Sequence, residues 1–323
     1  MRYKELGTTD IRVSVVALGT WALGGVDFGK VDERDAIKTV HRAIDMGITL
    51  VDTAPIYGNG RAEEVIGKAL SGGLRKEVVI ATKCGPVEVR RGLIKMDLSP
   101  LGIEKQCDES LRRLKTDYID LLQVHWNDPN YPLEETMYAL ENLVTKGKIR
   151  AFGVSNFSLE ELEKACERHN VASLQSRYSL LDRSVEAKIL PFCEKKSVGF
   201  LAYEPLGRGI LAGKMDAKRR FEESDVRKRD KRFAIPFFQT LLNKVEEFKL
   251  LAKREGVLAS QLAIAWILSN KAVTSVIFGA KSPAQVVENA TAADLDLDDV
   301  TVKKAARIFE EVAEGRAGEE GAE

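Results

Sequence analysis

A closed barrel of eight parallel strands, each followed by a helix, is the fold this sequence predicts, and three observations carry it. Eight short apolar runs recur along the chain at 15–18, 49–52, 78–83, 120–125, 150–155, 173–178, 199–204 and 275–279. Most lack clean alternation, as expected of parallel strands covered on both faces. Helical stretches lie between them, and no linker or short-period repeat divides the chain. Its 323 residues suit one barrel of about 250 residues plus extras. A doubly wound sheet is the alternative, because periodicity alone does not close a ring.

The elements follow in order. Residues 3–6 and 12–16 flank a turn at 7–10 and form a hairpin expected to close the barrel's bottom. The helix at 32–46 ends at Gly47 and that at 133–146 at Gly147, each glycine supplying a left-handed cap. Ser158 with Glu161 three residues later is a capping box for the helix after Phe157. A long charged insertion, 207–236, follows the seventh strand on the rim where barrels keep their chemistry. The last stretch, GRAGEEGAE from Gly315, has the composition of a disordered tail, so the chain reads as one domain over 1–323 with 315–323 disordered.

The 49 basic side chains balance 49 acidic ones, with a pI near 6.9. That balance gives no pull toward nucleic acid or an anionic membrane. The basic run KRRFEESDVRKRDKR at 218–232 is interleaved with acids and reads as a solvated or cofactor-covering lid. The opening MRYKELGTTD has no apolar stretch of a signal peptide, and no window reaches the roughly 18 apolar residues of a membrane span. Cys84, Cys107, Cys166 and Cys193 form no CxxC pair and read as free thiols. A cytoplasmic protein is expected.

The chemistry is read from strand ends. Asp52, Lys83 and His125 each close an apolar run, and Tyr57 lies in the turn after Asp52. Such ends converge on one rim of an α/β fold. A phenol beside an ammonium and an imidazole suits proton donation to a carbonyl oxygen. Trp21 and Trp126 follow the first and fourth strands and, with Tyr57 and His125, would wall a substrate pocket. Trp266, in LASQLAIAWIL, reads as core, and His41 and His169 as structural. No HxH or cluster of carboxylates at strand ends points to a metal.

The segments DTAPIYGNGRAEEVIGKAL, ATKCG, DLLQVHW, GKIRAFGVSNF, YSLLDR and LAYEPLGRGILAGK resemble those of the aldo-keto reductase superfamily, in its bacterial branch near the potassium-channel β subunits. The resemblance spans about residues 3–289, and its motifs stand in family order on successive strands. It implies an NAD(P)H-dependent oxidoreductase that reduces aldehydes and ketones reversibly, with a small carbonyl or alcohol as partner. It also implies a barrel that binds NADPH, or NADH, without a Rossmann domain. LGTWALGG at 18–25 has the wrong spacing for GxGxxG.

Carried over by position, Asp52, Tyr57, Lys83 and His125 match the family's catalytic tetrad. Tyr57 would be the acid in reduction, Lys83 would lower its pKa, Asp52 would hold Lys83, and His125 would orient the carbonyl. Ser155, Asn156 and Gln175 match contacts to the nicotinamide carboxamide, and Tyr203 an aromatic ring stacked on its face. That stacking leaves one face for the pro-R hydride. Trp21 is expected at cofactor as well as substrate. Leu206, Gly207, Arg208 and Gly209 match the pyrophosphate loop. Gly279, Lys281, Ser282, Gln285, Glu288 and Asn289 match the adenosine end.

The sequence departs from the pattern at several places. Glu204 stands where serine is common and brings a carboxylate to the diphosphate. Ser176, Arg177 and Phe278 also replace the usual residues. Gln285 stands where many relatives carry an arginine for the 2′-phosphate, leaving Lys281 and Ser282 to hold it in a modest preference for NADPH. Two rival readings are a barrel that senses nicotinamide redox state for a partner, as the β-subunit resemblance permits, and a barrel lyase or isomerase.

Overall fold

The computed structural model describes residues 1–90 and 93–317. Two short strands, β1 (Tyr3–Glu5) and β2 (Arg12–Ser14), pair antiparallel with Tyr3 opposite Ser14. A barrel strand and a helix then alternate: β3 (Val16–Gly19), α1 (Glu33–Asp45), β4 (Leu50–Asp52), α2 (Arg61–Ala69) and β5 (Val79–Cys84). A second antiparallel hairpin, β6 (Pro86–Arg90) and β7 (Leu93–Met96), follows β5 and was not foreseen from the sequence. The alternation resumes with α3 (Pro100–Leu114), β8 (Ile119–Val124), α4 (Leu133–Thr145), β9 (Ile149–Ser155), α5 (Leu159–Arg168), β10 (Ser173–Arg177), α6 (Ile189–Lys196) and β11 (Gly199–Tyr203). The lid at 213–236 leads into α7 (Phe237–Arg254), α8 (Ala259–Leu268), β12 (Val273–Gly279), α9 (Pro283–Ala290), α10 (Asp299–Ile308) and α11 (Glu310–Ala317).

Strands β3, β4, β5, β8, β9, β10, β11 and β12 close into one barrel, all neighbours parallel. These are the eight runs expected from the sequence, and their ends agree to within two residues. The capping box of Ser158 and Glu161 forms, and Gly47 and Gly147 end their helices with φ of 79° and 71°. Helix α11 runs through Ala317 and takes in the first three residues of the stretch that begins at Gly315. The remainder of that stretch, 318–323, lies outside the described residues.

The period of two along each strand divides the molecule into two cores. One parity points outward: Ile80, Leu122, Val124, Phe152, Val154 and Leu174 pack among the helices. The other points into the barrel, where Ala17, Leu50, Ala81, Leu121, Ala151 and Leu201 form a small central cluster. Leu6, Ile11 and Val13 of the first hairpin join that cluster, so the hairpin plugs the bottom as expected. Inward residues two steps further along the strands are polar: Asp52, Lys83, Gln123 and Gln175 are all buried. Apolar filling below and polar groups at the carboxyl ends are consequences of one register.

Among the described residues no helix is long and apolar enough to cross a membrane. Trp266 is buried in the helix layer. Helices α2 and α3 approach so closely at Gly67 that an added Cβ would lie 2.5 Å from the Arg113 carbonyl oxygen. Gly67→Ala is expected to cost about 1–3 kcal/mol by overpacking against backbone. A urea unfolding curve reads this out, and an unchanged midpoint would contradict the close crossing.

Candidate active site

The inward parity of the strands brings Asp52, Lys83 and His125 to one rim, and the turn after β4 adds Tyr57. Lys83 follows Val79 and Ala81 on the barrel-facing side of β5, and Asp52 follows Leu50 in the same way on β4. Their side chains meet: the Lys83 ammonium donates to Asp52 Oδ1 at 2.9 Å, to Oδ2 at 3.0 Å and to the Thr53 carbonyl at 2.9 Å. Gln175 Nε2 donates to Asp52 Oδ1 at 2.8 Å from across the barrel. Lys83 is only 1% exposed and Asp52 3%. An ammonium so deep requires its carboxylate, because an unpaired buried charge costs several kcal/mol.

Tyr57 stands above this pair. Its turn after β4 is set by close passage of the loop after β3: a Cβ on Gly58, whose φ is 62°, would fall 2.3 Å from the Gly24 carbonyl oxygen. The Tyr57 hydroxyl lies 3.4 Å from Lys83 Nζ. The Trp21 ring stacks beside Tyr57 at 5.8 Å between centroids, and His125 meets Tyr57 edge-on at 6.2 Å. His125 follows β8 and lies flat on Trp126 at 3.8 Å.

Burial governs the titration of both rings. It lifts the Tyr57 phenol well above its usual range, and Asp52 adds to the rise. The sequence expectation that Lys83 would lower this pKa is therefore corrected. The ammonium is already committed to Asp52 and Thr53, and burial together with the Asp52 charge penalises the phenolate. Burial, followed by the Lys83 charge, holds His125 well below its usual range, so its imidazole is neutral. A neutral imidazole can still donate one N–H. Cys84, on the outward parity next to Lys83, has a thiol pushed up by burial and stays protonated.

These groups adjoin a cavity of about 580 Å³. Asp52, Tyr57, His125, Trp21 and Trp126 line it, and Lys83 is buried beneath. Ser155, Asn156, Gln175 and Tyr203 line it as well. Asn156 has a left-handed backbone (φ 60°), and its amide donates to the His125 carbonyl at 3.0 Å and accepts the Tyr203 hydroxyl at 2.8 Å. Gly279, Lys281, Gln285, Glu288 and Asn289 also belong to its lining. Ser282 does not line it but caps α9, and the Gln285 side chain accepts from the Lys281 N–H at 2.8 Å. Glu288 accepts from Ser260 Oγ at 2.7 Å and pairs with Lys214.

The segment 206–209 is committed internally. Leu206, Arg208 and Gly209 line the cavity while Gly207 is buried. The N–H groups of Gly207 and Gly209 donate to the carbonyls of Glu204 and Leu206 at 2.9 Å each. Arg208 donates to Glu204 at 2.8 Å and lies 3.1 Å from Asp230. Glu204 also accepts from Arg232 at 3.0 Å, with Arg177 at 3.7 Å. Burial pushes the Glu204 carboxyl up, but Arg232, Arg208 and Arg177 outweigh it and hold it below its usual range. This ionic cluster fastens the lid to the end of β11. Its charges were visible in the sequence; their pairing was not.

The Aldo/keto reductase family model matches residues 15–310. The chain belongs to that family. The aldo-keto reductase YhdN of Bacillus subtilis is 40% identical over 288 residues, 88% of this chain and 87% of the relative. The NADH-specific methylglyoxal reductase of Escherichia coli is 34% identical, covering 97% of this chain and 99% of the relative. Among solved structures, the glycerol dehydrogenase of Gluconobacter oxydans is 37% identical with a TM-score of 0.87, over 96% of this chain and 95% of that one. An aldo-keto reductase of Klebsiella pneumoniae in complex with NADPH is 31% identical with a TM-score of 0.75, over 96% of both chains.

Within this aldo-keto reductase barrel, residues that sequence reasoning passed over also shape the cavity. Asp27 accepts the Trp21 indole N–H at 2.7 Å, and Phe28 meets the Trp21 ring edge-on at 5.0 Å. Ile94 reaches the cavity from the second hairpin, and Arg227 reaches it from the lid. Only Arg227 had a signal, its place in the charged lid.

The Glu204 cluster can be tested directly. Arg232→Met removes a partner from two buried carboxylates and is expected to lower stability by about 3 kcal/mol, with α-helix content retained at 25 °C. Chemical denaturation followed by circular dichroism measures it. A change below about 0.5 kcal/mol, the range of ordinary surface substitutions, would contradict the anchoring role.

Proposed function

We propose that this protein is an NAD(P)H-dependent carbonyl reductase in which Tyr57 gives the proton. The observation that carries the reading is the buried Asp52–Lys83 pair directly beneath a protonated Tyr57 and beside a neutral His125. The rest of the cavity fits a nicotinamide cofactor: Ser155, Asn156 and Gln175 suit the carboxamide, and Tyr203 offers a ring for the nicotinamide face. Arg208, already paired with Glu204 and Asp230, would also meet a diphosphate, and Lys281 with Gln285, Glu288 and Asn289 would meet the adenosine. Bound NADPH or NADH supplies the hydride.

The chain's own residues then do the following. Trp21 and Trp126 wall the open end and hold the substrate carbonyl between Tyr57 and His125. The His125 N–H steadies the oxygen as charge develops on it. The Tyr57 hydroxyl donates its proton to that oxygen, and the Lys83 ammonium supports the phenolate left behind. Asp52, gripped by Gln175, keeps Lys83 charged and in place. In the oxidative direction the same groups run backward, with Tyr57 as base. Small aldehydes and ketones and their alcohols are the substrate class, consistent with relatives named for methylglyoxal and glycerol.

The test is NADPH consumption with a reactive aldehyde such as nitrobenzaldehyde, wild type beside Tyr57→Phe. The variant is expected to bind NADPH as wild type does and to lose about 10²–10⁴ in turnover. Because the acid form of Tyr57 is needed and its pKa lies above the ordinary 10, wild-type reduction should stay level through pH 9 and fall only above that. Near wild-type turnover in the variant would remove Tyr57 from the role.

A further inference from the structure

Proton delivery depends on one distance that the strand ladder does not set. The Tyr57 hydroxyl lies 3.4 Å from Lys83 Nζ, yet the two residues belong to different elements. Lys83 is part of β5, whereas Tyr57 stands in the turn beyond the end of β4 at Asp52. The paired register of these strands ends with Asp52 opposite Ala81. The turn then closes on itself and runs into α2. The Gly60 N–H donates to the Pro55 carbonyl at 2.6 Å, and the Ala62 N–H to the Tyr57 carbonyl at 3.2 Å. A contact that holds the start of α2 against β5 therefore also holds Tyr57 over Lys83.

Glu63, in the first turn of α2, makes that contact. Its side chain is fully buried and takes no part in the proton chemistry described above. Oε1 accepts from the Thr82 hydroxyl and Oε2 from Arg113 Nε, both at 2.6 Å. Thr82 immediately precedes Lys83 on β5, and the period of two turns it toward the helices while Lys83 faces the barrel axis. Arg113 comes from the last turn of α3. Its stem packs against Gly60, where an added Cβ would lie 2.6 Å from Arg113 Cδ. One carboxylate thus touches the neighbour of Lys83 directly and the Tyr57 turn through Arg113. Burial opposes the Lys83 charge; Asp52 and, after it, Glu63 support that charge.

Helix packing alone gives no reason for a charge here. Helices α2 and α3 already cross closely at Gly67, and apolar filling is often as stabilising as a buried ion pair or more so. The helix dipoles favour an acid at the start of α2 and a base at the end of α3, which offsets part of the cost of burial. What a hydrogen-bonded carboxylate adds is direction: it fixes where α2 begins along β5 as well as how near it lies. We propose that Glu63, clamped between Thr82 and Arg113, is a positioning residue for the proton donor and sets the Tyr57 hydroxyl at its working distance from Lys83. The inference rests on the reading of Tyr57 as the acid. Placement at this scale matters, since a displacement of about 1 Å can cost on the order of 10²-fold in rate.

The experiment is single-turnover reduction of nitrobenzaldehyde by the full-length protein with NADPH already bound. Wild type, Glu63→Gln, Thr82→Val and Thr82→Ser are compared, with Thr82→Val also made in a Tyr57→Phe background. Thr82→Val removes one hydroxyl and leaves the Glu63–Arg113 pair, so it is expected to bind NADPH as wild type does and to slow the turnover about tenfold or more. Glu63→Gln should slow it likewise, while Thr82→Ser, which restores the hydroxyl, stays within about twofold of wild type. In the Tyr57→Phe background, Thr82→Val is expected to cost less than about twofold, because the group being positioned is gone. A loss in that background as large as in wild type marks a merely structural contact and overturns the proposal, as does loss of NADPH binding in Thr82→Val. Unslowed turnover in Thr82→Val or Glu63→Gln, beside a Tyr57→Phe that has lost it, overturns the positioning role alone. Full turnover in Tyr57→Phe overturns the reading of Tyr57 as the acid, and the positioning role with it.

Discussion

An ammonium buried at the top of a barrel, paired with one carboxylate, is the interaction on which the rest of the site depends. Lys83 keeps its charge at this depth only because Asp52 gives it both oxygens and Thr53 its carbonyl. Asp52 can serve only while it faces the barrel axis, which fixes the parity of β4, and Lys83 fixes that of β5. A slip of one residue in either strand would turn the charge into the apolar helix layer. Gln175, two strands from its nearest tetrad neighbour in the ring, completes the carboxylate's shell and makes the pairing a property of the closed barrel.

The proton chemistry follows from the same burial. Dry surroundings raise the Tyr57 phenol and depress the His125 imidazole. Both rings are therefore held uncharged at neutral pH, one as a hydroxyl donor and the other as an N–H donor. A site built in this way is prepared to stabilise an oxygen that becomes negative, and it needs no residue to change charge before substrate arrives. The lid depends on a second buried carboxylate, Glu204, whose arginines come from β10, the 206–209 segment and the lid itself.

Much of the fold was legible because parallel strands and amphipathic helices leave period and punctuation in the sequence. The eight runs, the glycine caps at 47 and 147 and the capping box at Ser158 are local signals. The second hairpin was not legible: PVEVR and LIKM lie on the rim, largely outside either core, so no buried pattern marks them. The site was legible as residues at strand ends, but not as energetics. Sequence places Lys83 beside Tyr57; only the structure shows that Lys83 is buried, that Tyr57 is desolvated above it and that Asp52 already holds the ammonium, which reverses the expected shift of the phenol. In the same way Arg208 and Glu204 were visible as charges near a phosphate loop, while their mutual pairing spans to Arg232 and Asp230 in the lid and has no local sequence mark.

The central claim is that hydride leaves a nicotinamide and arrives on a carbonyl carbon beneath Tyr57. It is tested most directly by tracing that atom. NADPH carrying deuterium at the pro-R position of C4 should deliver the label to the carbinol carbon of the alcohol product, as read by mass spectrometry and proton NMR. Alcohol that forms without label while the deuterium remains on the oxidised nucleotide would contradict the proposed face of transfer. Bound NADPH with no alcohol formed from any small carbonyl would contradict the reductase itself.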